Sequence, residues 1–336
     1  MIHMALVGCG GMANWHATQL KAMSDEVSVV ALVDTVPAQT KAFKEKYFPD
    51  AVEYADYDKL LADARKLKLD AVNLVTPHTL HYPQAKAALE AGLNVLVEKP
   101  MVTASEHAYD LWKTVKKSGK KLGITFQAPY TAEYQAIKGL RDSGEMGKVQ
   151  IIQGWLAQGW MKGTAGKWRQ DPKLSGGGQM YDSGAHVLNG MMWIMNDPVV
   201  EVACFYDTLG APVDINGVAI MRFQNGAMGS VAIGGNSPGW DVAIQVQTDK
   251  MQLKTGPHGG SLDISRGGKK YYPRVEMDDR PAGATPHRNF IDALQDKAEL
   301  QAPVRYGVLL SALMDAMYES ADQRKPVQVK PVPRDL

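Results

Sequence analysis

Two periodicities divide the chain. Through about residue 125, short apolar runs alternate with stretches of helical spacing. The runs lie just before Gly8, at Val27 to Val33, Ala71 to Val75, Asn94 to Val97 and Leu122 to Phe126. Between them, Tyr82 to Ala91 has helical spacing and stops at Gly92. Ala104 to Ser118 reads as a helix closed by Gly119. Both glycines suit a helix C-terminus. Buried apolar strands joined by helices predict a parallel sheet with helices on both faces.

Beyond about residue 148 the pattern changes. Val149 to Ala157, Val199 to Tyr206, Gly217 to Phe223, Ala227 to Ile233, Val242 to Thr248 and Ser261 to Ser265 read as strands, with few helices between them. Asn225-Gly226 is a strong hairpin signal. A largely antiparallel sheet follows, with one face on helices and another that needs a cover, which partner subunits commonly provide. Helices from about Pro286 to Gln295 and from about Tyr306 to Arg324 finish the chain. The predicted architecture is an α/β Rossmann domain, residues 1–125, followed by an α+β domain with a large open, mostly antiparallel sheet, residues 126–336. A terminal helix is expected to pack back on the first domain.

The first apolar run leads into Gly8-Cys9-Gly10-Gly11-Met12-Ala13, and the second ends in Asp34. Strand, G-x-G-x-x-A turn, helix and an acid about twenty residues on are the parts of a dinucleotide site. Gly8 permits the tight turn, Gly10 lets a pyrophosphate approach the backbone, and Ala13 lets the helix pack close to the strand. The helix N-terminus offers free N–H groups to phosphates. Asp34 suits ribose hydroxyls and repels a 2′-phosphate, so NAD is expected over NADP.

Composition adds limits. The 336 residues are 45% hydrophobic and 22% charged, ordinary for a globular protein with a full core. A net charge of +1 implies no bulk attraction to nucleic acid or membrane. Two cysteines, Cys9 and Cys204, make no disulfide framework, and no group has metal-ligand spacing. Neither a secretory signal nor a membrane-spanning run is recognisable, so a cytoplasmic location is expected.

Strand Asn94 to Val97 ends in Glu98-Lys99-Pro100, at the sheet edge where such folds place ligands. The second constellation runs from Gly176-Gly177-Gly178 to Asp182, Gly184, His186 and Asn189. Asp182 and His186, four apart, are expected on one helix face. A His–Asp pair near a lysine suits proton removal from an alcohol while hydride leaves its carbon; the plainer reading is an ion pair on an exposed helix. A third region holds Trp155, Trp160, Lys162, Lys167, Trp168 and Arg169. Trp155 is expected in the core. Trp160, Trp168 and Arg169 fall in a predicted loop, where aromatic faces suit a sugar ring and Arg its hydroxyls or a carboxylate. Met191, Met192, Trp193 and Met195 are expected in the core, and His258 and His287 are weak candidates for a pocket rim.

The sequence resembles the glucose–fructose oxidoreductase / inositol dehydrogenase family (Gfo/Idh/MocA) over nearly its whole length. The resemblance rests on Gly8-x-Gly10-x-x-Ala13, Thr76-Pro77-x-x-x-His81, Glu98-Lys99-Pro100, Gly177-Gly178-x-x-x-Asp182-x-Gly184-x-His186 and a closing stretch from Tyr318 to Val327. It implies a cofactor site of Gly8, Gly10, Gly11, Met12, Ala13, Asp34, Thr76, Pro77, His81, Glu98 and Lys99. It implies that Lys99 polarises the substrate hydroxyl, Asp182 orients substrate and base, and His186 is the general base. Three positions depart from the family pattern: His78 stands where Asn is common, Gln127-Ala128-Pro129-Tyr130 where an Arg is common, and Asn189 where Asp is common.

The resulting expectation is an NAD-dependent dehydrogenase of a ring hydroxyl on a sugar, sugar derivative or cyclitol, assembled as a homodimer or homotetramer. Two alternatives are an NAD-requiring glycosidase working by transient ring oxidation, elimination and re-reduction, and an NAD-binding sensor without turnover.

Overall fold

The computed structural model describes residues 1–256, 261–267, 275–276 and 285–333. The chain forms two compact units. The first comprises Met1–Val102, Glu106–Thr125 and Thr285–Val304; the second comprises Thr103–Ser105, Phe126–Ala284 and Arg305–Leu336.

The first unit is built on six strands: β1 (Ile2–Val7), β2 (Val27–Val33), β3 (Val52–Tyr54), β4 (Ala71–Leu74), β5 (Asn94–Val97) and β6 (Leu122–Ile124). Their order is β3-β2-β1-β4-β5-β6, and every pairing is parallel. This is the doubly wound order, with its reversal between β1 and β4. The strands are apolar along their length because helices cover both faces. β3 is the exception, a short edge strand whose Val52 and Glu53 are exposed, and it carries too little apolar signal to be read from sequence. The C-terminal ends of β1, β2, β4 and β5 bring Gly8, Asp34, Thr76 and Glu98-Lys99 to one sheet edge.

The unit is completed by a late segment of the chain. Helix Pro286–Leu294, capped by the Thr285 hydroxyl accepting from Arg288 N at 3.1 Å, sends Phe290 and Ile291 into a core with Met4, Leu6, Leu20 and Leu32. Gly123 on β6 admits that helix: a Cβ there would stand 3.2 Å from the Phe290 ring. The chain then runs along β6, where Ile124 N donates to Ala302 O at 2.9 Å. The last long helix, Val304–Gln323, lies almost wholly in the second unit.

The second unit adds β7 (Val149–Ala157), β8 (Val199–Asp207), β9 (Asn216–Phe223), β10 (Met228–Gly234), β11 (Asp241–Thr248), β12 (Met251–Thr255), β13 (Ser261–Arg266), β14 (Val275–Glu276) and β15 (Val327–Gln328). They make one nine-stranded sheet in the order β14-β13-β12-β11-β7-β10-β9-β8-β15. The Asn225-Gly226 turn joins β9 to β10 as an antiparallel pair. Among the described residues only β7 and β10 pair parallel, so the sheet is mixed but mostly antiparallel.

Helix Gly184–Met195 packs on one face of this sheet. Gly154 makes the approach possible, since a Cβ there would meet Met191 Sδ at 2.7 Å and Val187 Cγ2 at 2.8 Å. Met191, Met192, Trp193 and Met195 are buried. Trp155 corrects the expectation that it lies in the core. Its neighbours Gly154 and Leu156 are buried on the helix side, so the two-residue period of the strand turns Trp155 to the opposite face, where it is 48% exposed. The register there sets Phe205, Val218, Ala232, Trp155 and Ala243 side by side across five strands. Phe205 is 72% exposed and Ile220 62% on that face.

Candidate functional site

The glycine turn has the geometry a pyrophosphate needs. Gly8 adopts φ +89°, and a Cβ on it would press 2.6 Å from the Val75 carbonyl oxygen. Only glycine fits that position. Around the positions a Cβ of Gly10 or Gly11 would take, nothing lies within 4 Å. The space a side chain would fill is open, so the turn fits a bound dinucleotide. Met12 stands at the N-cap and Ala13 is fully buried at the start of helix Ala13–Lys21. Asp34 braces the turn: Oδ2 accepts from Cys9 N at 2.8 Å and Oδ1 from Val36 N at 2.9 Å. Each oxygen keeps a second lone pair for a ribose hydroxyl. Cys9 is buried, and burial with the charges of Asp34 and Glu53 pushes its thiol up to about 12, so it is no nucleophile.

Behind Lys99 is a buried polar cluster. Glu98 Oε1 accepts from His16 Nε2 at 2.9 Å and from Thr125 Oγ1 at 2.6 Å, while Oε2 accepts from the backbone N–H of Lys99 at 3.1 Å. Burial alone would push the Glu98 carboxyl up. The hydrogen bonds from His16 and Thr125 and the positive charge beside it outweigh burial and hold it well below the usual carboxylate range. His16 Nδ1 faces Asn73 Oδ1 at 3.0 Å and His287 Nε2 at 2.9 Å. His287 is therefore no rim residue. It is fully buried, and burial draws its pKa well below the ordinary histidine value. His258 lies outside the described residues.

His81 also works from inside. It is fully buried, with Nδ1 2.8 Å from Pro100 O and Nε2 2.8 Å from Thr76 O. It lies between the loop after β4 and the loop after β5, and its one N–H in the neutral form that burial favours donates to one of these two carbonyls. Thr76 donates its hydroxyl to Gln84 Oε1 at 2.6 Å, and Pro77 forms the N-cap of helix His78–Glu90.

In the second unit the glycine run is a close-packing device. A Cβ on Gly178 would stand 2.0 Å from Asp214 O, and the buried Asp214 carboxylate accepts from Gly178 N at 2.7 Å and Met180 N at 2.8 Å. The helix begins only at Gly184, so Asp182 does not share a helix face with His186; it lies in the turn before it. Gly184 meets Ile233, since a Cβ there would stand 2.8 Å from its Cδ1, so its smallness serves helix–sheet packing. Asp182 Oδ2 accepts from Trp160 Nε1 at 2.7 Å and from Arg169 Nε at 3.0 Å, and Asp182 is 5% exposed. An ion pair on an exposed helix is thereby excluded. Trp160 is buried against Val213 and Ile215, so its ring is core rather than a sugar platform. Trp168 lies under the Arg169 guanidinium, 4.5 Å from the ring centre.

His186 lines a cavity of about 390 Å³ with Thr131, Glu133, Gln158, Ser183 and Trp240. None of those five stands out in the sequence. Trp240, an aromatic beside glycine in a loop, is the one a search for exposed loop aromatics finds. Among the described residues no cluster of ligand side chains fits a metal ion, and no helix is long and apolar enough to cross a membrane.

Residues 2–126 match the oxidoreductase family with NAD-binding Rossmann fold, and residues 134–254 match the GFO/IDH/MocA C-terminal domain. The chain belongs to the Gfo/Idh/MocA family. NAD is its cofactor, and the open glycine turn with Asp34 beside it fits that group. The chain is 27% identical to D-glucoside 3-dehydrogenase of Escherichia coli over 205 residues, 60% of this chain and 56% of that protein. It is 26% identical to inositol 2-dehydrogenase of Salmonella typhimurium over 202 residues, 60% of this chain and 56% of that protein. The chain thus spans about half the length of the relatives it matches by sequence. The structure superposes on the WlbA dehydrogenase of Bordetella pertussis, solved with NADH and UDP-GlcNAcA, with a TM-score of 0.86, 25% identity and 99% of each chain covered.

Proposed function

We propose that this oxidoreductase removes hydride from a ring hydroxyl of a sugar, sugar derivative or cyclitol. The observation that carries the reading is His186 on the wall of a cavity of about 390 Å³, at the small end of ligand cavities, in a chain whose other unit holds a dinucleotide turn. Relatives named for glucosides and for inositol point to the same substrate class. Bound NAD supplies the hydride acceptor. In this reading His186 takes the hydroxyl proton as the carbon–hydrogen bond breaks, and the Lys99 ammonium steadies the oxygen as negative charge grows there. Glu98 and His81 act through position, by holding the loop that carries Lys99. Asp182 holds Trp160 and Arg169 beside the helix that carries His186. A panel of monosaccharides, cyclitols and glycosides, run with NAD and with NADP, tests this. NADH formation with at least one free ring is expected, and NADP should serve poorly because its 2′-phosphate meets Asp34. Release of an aglycone without NADH would instead favour redox-neutral glycoside cleavage. No turnover and no release across the panel would leave the sensor.

The second proposal at this level is assembly. In the apolar row Phe205, Val218, Ala232, Trp155 and Ala243, the side chains of Phe205, Val218 and Trp155 are exposed, the kind of surface soluble proteins cover. We infer a homodimer or homotetramer built on it. Light scattering at micromolar concentration should return a multiple of 36.7 kDa, and Trp155→Glu should lower it; a monomeric wild-type protein would refute the inference.

A further inference from the structure

Glu133 is the second residue of helix Ala132–Asp142 and is 1% exposed, yet it lines the cavity that His186 faces. Its Oε1 is buried and has no hydrogen-bond partner among the described residues. The cavity's other acceptors and donors are more fully engaged: the Gln158 amide donates to Gln179 Oε1 at 3.2 Å and also to Ser183 Oγ, and Thr255 Oγ1 accepts from Ile244 N at 2.9 Å. A buried carboxylate oxygen without a partner is costly, and the cost is relieved by whatever donor enters beside it. The first turn of a helix is also where a negative charge is best placed. The Thr131 side chain at the N-cap makes no capping bond, so Glu133 is the first turn's acidic group. Trp240, which lines the same cavity, is 59% exposed, and an indole ring suits the C–H face of a sugar ring.

We propose that Glu133 is the specificity residue of this cavity, its carboxylate accepting from a hydroxyl or ammonium of the substrate ring and so favouring neutral or aminated rings over rings that carry a carboxylate. The proposal rests on the cavity being the substrate site. A substrate carboxylate at that place would bring two acceptors together with no proton between them, and like charges repel. An ammonium would instead gain a charge-assisted bond. Oε2 adds capacity for a second donor on the same ring.

The test is binding, so that it does not depend on turnover. Calorimetric titration of the NADH-loaded protein compares D-glucose, D-glucosamine and D-glucuronate at millimolar concentration. D-glucosamine should bind most tightly and D-glucuronate most weakly. Glu133→Gln keeps the shape, keeps an acceptor and loses the charge. It should weaken D-glucosamine by roughly 10- to 100-fold, the worth of one hydrogen bond to a charged group, and should improve D-glucuronate. Unchanged NADH affinity in the variant separates a local effect from misfolding, and Glu133→Asp, which keeps the charge on a shorter arm, should retain the wild-type order. The proposal is overturned if D-glucuronate binds as tightly as D-glucosamine, if Glu133→Gln leaves the order unaltered, or if none of the three binds. Binding in the expected order without NADH formation from NAD would keep Glu133's role and remove the dehydrogenase reading.

Discussion

His186→Ala should lower turnover on the true substrate by about 10²–10⁴-fold, the usual worth of general base help, while NAD affinity stays nearly unchanged. The separation follows from where the groups are. The turn at Gly8 to Ala13 and Asp34 belong to the first unit, and His186 belongs to the second. Losing the imidazole should lower kcat and kcat/KM together, because the proton is transferred only as the transition state is reached. In the wild-type protein the rate should rise with pH as the imidazole loses its proton, and this limb should vanish in the variant. Steady-state NADH formation across pH, with NADH fluorescence for cofactor affinity, measures both. Near-normal turnover in His186→Ala would reassign the base.

Glu98→Ala should be the most destabilising single change in the first unit. It removes a buried carboxylate that His16, Thr125 and the Lys99 amide all address. Breaking such a buried set by deleting one partner costs about 3–5 kcal/mol, against a total stability of roughly 5–15 kcal/mol for a typical protein. The effect has a pH signature. The folded carboxyl is held below its unfolded value, so its contribution is full above the unfolded pKa of about 4.3. It fades as pH falls from there toward the folded value. Wild type should lose stability steeply on acidification below that point, and Glu98→Ala should lose less because it has less to lose. Thermal melts of both proteins at neutral pH and at mildly acidic pH decide it. Equal melting temperatures at neutral pH would show the cluster to be energetically idle. Glu98→Gln, which keeps an acceptor, should fall between.

The Rossmann half was legible because its signals are local. A buried strand, a glycine turn, a helix and Asp34 follow one another within 34 residues, and each constrains the next. Lys99 stood out by its place at the end of a strand and Glu98 and His81 by resemblance, but the last two act through buried hydrogen bonds that no spacing rule foretells. Trp155 was misplaced because a strand with one buried face gives the same alternation whichever parity is inside. The parity was set by Gly154, whose missing side chain admits Val187 and Met191. Asp182 was placed on a helix face because the sequence from Gly178 onward has no visible break. The break comes from Asp214, 36 residues away along the chain, which holds the Gly178 and Met180 amides out of helical pairing. Glu133 left no trace in the sequence, since an acidic residue early in a helix is ordinary, and only its burial and its orphaned oxygen set it apart.

The late segment Thr285–Val304 has a consequence for how the protein is made. Ile124 N finds its carbonyl at Ala302, and Gly123 finds its packing partner at Phe290. A ribosome that has synthesised only the first 125 residues has therefore not yet supplied everything the nucleotide-binding unit needs. Its sixth strand emerges with an open edge and waits while β7 to β14, eight of the nine strands of the second sheet, are translated. Domains otherwise tend to fold in the order they appear. Here the first unit to begin is closed only when the chain has passed residue 304, so the two units share one window of vulnerability during translation.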